Sequence, residues 1–416
     1  MTDERVEADY LMETAYDPRA AAEAIAGEQS SGTFVPVPGE TPELKARAAA
    51  RVEALQILET TVAPALPGAG RPAAGAVIRR ALLTLSWPLA NFGPSLPNLM
   101  ATIAGNLFEL RQLSGLKLLD VSLPPGFTAA YPGPRFGVAG TRRLAGVESR
   151  PLIGTIIKPS VGLGPEETAD LVRVLAEADI DFIKDDELQA DGPACPFEAR
   201  VRAVMRVVND VADRRGRKVM VAFNLTGEVD EMRRRHDLVL ACGGTCVMAS
   251  VNSVGLAGMI ALGRHSQLPL HAHRNGWGYL SRHPLLGFTF TAWHKFWRLA
   301  GADHIHVNGL ANKFSEDDAS VIASARACLA PLTAERPAPI MPVFSSGQTA
   351  RQAPDTFRAL GSVDLIFAAG GGIMAHPHGP AAGVASLREA WEAAVEGVPL
   401  ADYAASHPAL AAALGA

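Results

Sequence analysis

Cysteine is scarce, with only Cys195, Cys242, Cys246 and Cys328 in 416 residues and no regular spacing among them. That excludes a disulfide-stapled framework. Cys242 and Cys246 have no second Cys or His pair nearby, so buried thiols are a better reading than zinc ligands. Surplus positive charge is missing too: 38 Lys and Arg face 43 Asp and Glu, a formal charge of −5. No broad nucleic-acid surface is expected, and any anion site must be local. The opening MTDERVEADY lacks the basic end and apolar run of a secretory signal, which reads as a cytoplasmic protein. The most apolar region, 81–108, is interrupted by Pro88, Pro94 and Pro97, so no membrane span is expected. Internal repeats and low-complexity linkers are also absent from the sequence.

What is present suits a globular enzyme: 48% hydrophobic and 19% charged residues, with 39 Gly and 30 Pro. The length accommodates one barrel of about 250 residues plus a smaller domain. From Pro151 onward, short β-rich runs alternate with helical patterns. The runs are LIGTIIK (152–158), FIKDDE (182–187), KVMVAFN (218–224), TCVMASV (245–251), LPLHAH (268–273), HIHVN (304–308), MPVFSS (341–346) and DLIFAAG (364–370). Most are followed by helical signals, such as PEETADLVRVLAEA, with Pro165 at its start and acidic residues in its first turn. Eight β/α units predict a closed (β/α)8 TIM barrel over 136–395. Residues 1–135 read as an α+β domain of ferredoxin-like type, with a strand at 10–13, a helix at 18–27 and β-like runs at 32–36, 51–58 and 76–86. Residues 396–416, rich in Ala, read as a helical cap.

Barrel enzymes place their chemistry at the C-terminal ends of the strands, and these ends are polar here. Lys184 and Asp186, two apart, project to one side of a strand, and Glu187 follows where the loop begins. Asp186 and Glu187 can offer oxygen ligands to Mg²⁺. Lys184, as a carbamate formed with CO2, would add a third; as a plain ammonium it would ion-pair with Asp186. The turns Ser345-Ser346-Gly347 and Gly370-Gly371-Gly372 follow the seventh and eighth strands, where phosphate commonly meets backbone N–H groups. A phosphorylated small molecule is the expected substrate. His271 and His273, His304 and His306, and Arg274 cluster on two adjacent strands and suit an anionic, hydroxylated ligand. Lys158, ending the first strand, can shuttle a proton or serve as counter-ion to the acidic second strand. Lys313 sits in a loop able to close over substrate, or is a surface lysine.

The segments GTIIKPSVGL, DFIKDDE, LHAHR, GADHIHVNG and FAAGGGIMAHPHG closely resemble the large chain of RuBisCO, and AGEQSSGTF and TIAGNLFEL extend the resemblance to the N-terminal domain. The resemblance implies that Lys184 is carbamylated and binds Mg²⁺ with Asp186 and Glu187. It further implies acid/base work for Lys158, contacts to the reacting carbons for His273, and an anion site at Arg274, His306 and Ser345. Gly347, Gly371 and Gly372 would bind phosphate, and Lys313 would belong to the mobile loop. Glu28, Thr33 and Asn106 match polar residues that reach a neighbouring subunit's site, which implies a homodimer with shared sites and leaves higher oligomers open. Departures point to a RuBisCO-like protein: Ser160 replaces a second lysine of the KPKLG pattern, Phe34 replaces a tryptophan, and the 345–347 turn is SSG. These argue against carboxylation of ribulose bisphosphate.

The chemistry that fits is an enolate held by cations. The leading expectation is decarboxylation of a 3-oxo sugar-acid phosphate such as 3-oxo-isoapionate 4-phosphate, or carboxylate transfer and hydrolysis on the same compound. Alternatives are a phospho-sugar enolase or isomerase of methionine-salvage type, an authentic carboxylase, and a non-catalytic barrel.

Overall fold

The computed structural model describes residues 4–32, 37–70, 73 and 75–415. Two compact units result, one of Met1–Tyr131 with Gly276–Leu299, the other of Pro132–Asn275 with Ala300–Ala416. The first carries strands β1 (Arg5–Thr14), β2 (Arg51–Thr61), β3 (Ile78–Pro88) and β4 (Gly115–Ser122). Alternation drives β1: Val6, Ala8, Tyr10 and Met12 are all buried. It lies between β3 and β4, antiparallel to both, while β2 forms the edge beyond β3. The opposite edge is closed by a short strand, Leu286–Phe288, parallel to β4. A helix, Pro18–Glu28, starts as its sequence dictates, with Pro18 in the first turn and Asp17 accepting from the Ala20 amide at 2.9 Å. The β-like run at 32–36 lies mostly outside the described residues.

The second unit is the expected barrel. Its strands are β5 (Leu152–Ile156), β6 (Phe182–Lys184), β7 (Met220–Asn224), β8 (Cys246–Ser250) and β9 (Leu270–His273). The Leu286–Phe288 strand is β10, and β11 (His304–His306), β12 (Met341–Phe344) and β13 (Ile366–Ala368) complete the set. The eight barrel strands close through parallel β13–β5 pairing, with β9 beside β11. Leu152, Phe182, Met220, Cys246, Met341 and Ile366 fill the interior. Gly154 makes room for this packing, since a Cβ there would stand 3.1 Å from the Phe182 ring. Outer helices seal the barrel: Trp391 on the Pro380–Glu396 helix is fully buried, its ring 5.2 Å from that of Phe367. Two short helices, Leu400–Ala404 and Pro408–Leu414, end the described chain. Among the described residues no helix is long and apolar enough to cross a membrane.

Six of the eight barrel strands stop short of the ends of their apolar runs, while β7 and β9 end with theirs. β6 ends at Lys184, and the three acidic residues after it belong to the loop. The strands are pinned internally at this end: Arg200, fully buried, donates to Asp185 Oδ2 from Nη2 at 3.1 Å and Nε at 3.3 Å. The same guanidinium reaches the carbonyls of Cys195, Gln189 and Ala190, which ties down the loop after β6.

Candidate active site

The C-terminal ends of β5, β6, β9, β11, β12 and β13 bring polar side chains to one barrel mouth. Lys158, after β5, places Nζ 2.6 Å from Asp186 Oδ2 and 2.8 Å from Ser160 Oγ. Lys184 is 1% exposed and its Nζ lies 3.3 Å from Glu187 Oε2. The same carboxylate oxygen is 3.3 Å from His273 Nε2. Spacing alone pairs a Lys184 ammonium with Asp186; in the structure Lys184 meets Glu187 and Lys158 takes Asp186. Strand alternation ceases once the ladder ends at Lys184, so it no longer governs where Asp186 points. Asn224, at the end of β7, donates from Nδ2 to the Glu187 carbonyl at 3.2 Å and helps fix this turn.

Burial sets the charges. It disfavours the ammonium of Lys184, lowering its pKa against the raising pull of Glu187 and Asp186. Burial alone would raise Glu187, but His273 and Lys184 outweigh it and hold the carboxyl at about 2. His273 is pushed down to about 4 by burial and by Lys184, so it stands neutral beside a Glu187 carboxylate at neutral pH.

The expectation of Mg²⁺ on a carbamylated Lys184 is corrected by the geometry. Among the described residues, the ligand atoms that converge within 4.8 Å are those of His236, Asp237 and His265, on the helices Val229–Ala241 and Val251–His265. At the barrel mouth the carboxylates of Asp186 and Glu187 instead each face a lysine ammonium group.

Arg274 is buried and ion-pairs with Glu316, a partner the sequence reading did not single out. Glu316 also accepts from Asn308 Nδ2 at 2.7 Å and Ser320 Oγ at 2.9 Å. His306 stands between His271 and Ser345: its Nε2 is 2.8 Å from His271 Nε2 and its Nδ1 2.9 Å from Ser345 Oγ. Ser346 adopts a φ of 72° and Gly347 a φ of 94°, turning the chain sharply after β12. The Lys313 amide donates to the Ser346 carbonyl at 3.2 Å, while the Lys313 side chain is exposed, with Nζ 5.3 Å from the Phe314 ring centre. Gly371 and Gly372 lie in the short Gly370–Met374 helix. A Cβ on Gly372 would come 2.6 Å from the Gln348 carbonyl oxygen, so packing alone demands glycine there, whereas Gly371 faces open space. Glu28 ends the Pro18–Glu28 helix and Asn106 opens the turn Asn106–Glu109, both in the first unit. Thr33 lies outside the described residues.

Three histidines inside the barrel, His271, His304 and His306, are held neutral by burial, His304 at about 3 against an ordinary 6.5. Depressed values of this kind stabilise the fold above the unfolded value of 6.5, and the benefit is lost as pH falls below it. The unfolded chain binds more protons than the folded one across that window, so stability falls as pH drops. Urea midpoints should therefore drop steeply between pH 6.5 and 5; a flat profile would refute neutral burial of these rings.

Known proteins agree with this architecture. Residues 137–416 match the family described as ribulose bisphosphate carboxylase large chain, catalytic domain, and residues 3–127 match its N-terminal domain. A 3-oxo-isoapionate-4-phosphate transcarboxylase/hydrolase of Xanthobacter autotrophicus is 66% identical over 412 residues, 99% of each chain. A 3-oxo-isoapionate-4-phosphate decarboxylase of Rhizobium etli is 45% identical, covering 97% of each. The crystal structure of a rubisco-like protein from Burkholderia fungorum superposes with a TM-score of 0.93 at 50% identity, covering 100% of both chains.

Proposed function

The chain belongs to the ribulose bisphosphate carboxylase large-chain family, among its RuBisCO-like members, and from that premise we propose that it cleaves the carboxylate of a 3-oxo sugar-acid phosphate of the 3-oxo-isoapionate 4-phosphate kind. It is an enzyme of lyase type in this reading. The observation that carries it is 66% identity along 99% of the chain to an enzyme named for that compound.

The barrel mouth suits the chemistry. In a β-keto acid, the electron pair of the bond to the carboxylate carbon moves toward the ketone, leaving an enolate that needs nearby cations and donors. Lys158, 41% exposed and paired with Asp186, can approach the ketone oxygen and return a proton to the carbon after cleavage. Neutral His273 accepts the Asn275 amide at Nδ1, 3.3 Å away, and turns its one N–H, at Nε2, to Glu187, so it positions that carboxylate beside the reacting group. Ser345, Gly347 and the Gly370–Met374 turn take the phosphate end, and the Lys313 loop covers it. Glu28, Thr33 and Asn106 serve a neighbouring copy's site in a homodimer.

Two fates of the carboxylate remain distinct, and the relatives divide between them: transfer and hydrolysis at 66% identity, decarboxylation at 45%. Substrate labelled with ¹³C in its carboxyl group separates them. Label released as CO2 establishes decarboxylation, and label retained in a non-volatile carboxylate product establishes transfer and hydrolysis. Exchange of the α-proton with the label left in place would replace both by an isomerase.

A further inference from the structure

His271 on β9 and His306 on β11 meet nitrogen to nitrogen, Nε2 to Nε2, at 2.8 Å, with their ring planes perpendicular. At that distance one ring must donate and the other accept, so a single proton lies between them. His306 Nδ1 then meets Ser345 Oγ at 2.9 Å. The direction of the first hydrogen bond thus fixes the direction of the second.

Two orders are available. If His306 donated from Nε2, its Nδ1 would accept the Ser345 hydroxyl hydrogen, and His271 would carry its own hydrogen on Nδ1. That nitrogen is buried and has no hydrogen-bond partner among the described residues. An N–H donor buried with nothing to accept it is rare in folded proteins. If His271 donates from Nε2, its Nδ1 is only a bare lone pair, packed in an apolar setting with the Phe182 ring centre 5.1 Å from its own. His304 next door shows the same arrangement. Its Nε2 lies 2.8 Å from Thr141 Oγ1, whose own hydrogen goes to the Gly137 carbonyl, so His304 donates from Nε2 and leaves its partnerless Nδ1 bare.

The second order frees the Ser345 hydroxyl hydrogen. Its nearest acceptor is Ser346 Oγ at a long 3.4 Å, and Ser346 spends its own hydrogen on Asn308 Oδ1. Phosphate and enolate oxygens only accept, so a site for them needs donors. We infer that His271 is a positioning residue: donating from Nε2, it fixes the tautomer of His306 and presents Ser345 Oγ–H as a donor to an anionic oxygen of the substrate. The use of that donor rests on the proposed function; the tautomer does not.

The test uses the full chain with ¹⁵N-labelled histidine. Ring-nitrogen NMR of the free protein should show His306 protonated at Nδ1 and bare at Nε2, and the reverse overturns the inference whether or not any substrate turns over. His271→Met removes the donor at similar volume and should lower kcat/KM about 10–100-fold, the loss of one hydrogen bond to a charged group. His271→Gln, which returns an N–H near the same place, should recover most of it. Full activity in His271→Met with His306 still protonated at Nδ1 also overturns the inference. If wild type turns over no 3-oxo sugar-acid phosphate, the proposed function fails while the nitrogen spectrum still decides the tautomer.

Discussion

Lys184→Met should lower kcat by about 10²–10⁴-fold without unfolding the barrel. Lys184 is the one fully buried lysine of the barrel mouth, and methionine fills a similar volume without a charge. Glu187 would lose its cation at 3.3 Å, but its side chain is 32% exposed and keeps His273 at 3.3 Å, so water and the imidazole can compensate. Stability should then change little, because the buried ammonium it replaces was itself costly to desolvate. The chemistry cannot compensate in the same way. Without Lys184, the Glu187 carboxylate keeps His273 as its partner but loses the buried cation that fixes its place and charge at the mouth. Steady-state kinetics on 3-oxo-isoapionate 4-phosphate, with circular dichroism beside it, makes the check. Unchanged turnover would place the active site away from this mouth.

That residue also shows what a sequence can and cannot disclose. All eight barrel strands were legible as β-rich runs because their side chains are buried on both faces, so apolarity marks them without alternation. The polar residues at their ends were legible as a mouth because parallel strands in a barrel all finish on one side. Pairing within the mouth was not: Asp186 and Glu187 follow the last ladder bond, and their carboxylates are placed by residues from elsewhere, Asp186 by Lys158 after β5 and Glu187 by His273 on β9 together with Lys184. Glu316 was invisible as the partner of Arg274 for the same reason, being 42 residues away. The strand Gly115–Ser122 went unread, as did the excursion Gly276–Leu299, which leaves the barrel run to add Leu286–Phe288 to the other sheet. Three residues pairing with a strand about 170 positions earlier leave no local period to detect.

Arg200→Met should be the most destabilising single change near the site, costing about 3–5 kcal/mol. The guanidinium is entirely buried and its removal strands Asp185, which is itself 2% exposed. Among the described residues Asp185 would keep the Asn224 amide, 3.0 Å from Oδ2, as its hydrogen-bond donor, with the charge of Lys184 nearby. Three carbonyls, of Gln189, Ala190 and Cys195, would lose their donor together. Because Asp185 stands between Lys184 and Asp186, the loosened loop should lower activity as well as the urea midpoint. The double variant Arg200→Met with Asp185→Leu separates charge from packing. It should recover much of the loss, since no buried charge is left unpaired, yet remain about 1–3 kcal/mol below wild type because the Asn224 amide and the three carbonyls still lack partners. A double variant no more stable than Arg200→Met alone would mean that the loop carbonyls, not the ion pair, are what Arg200 secures.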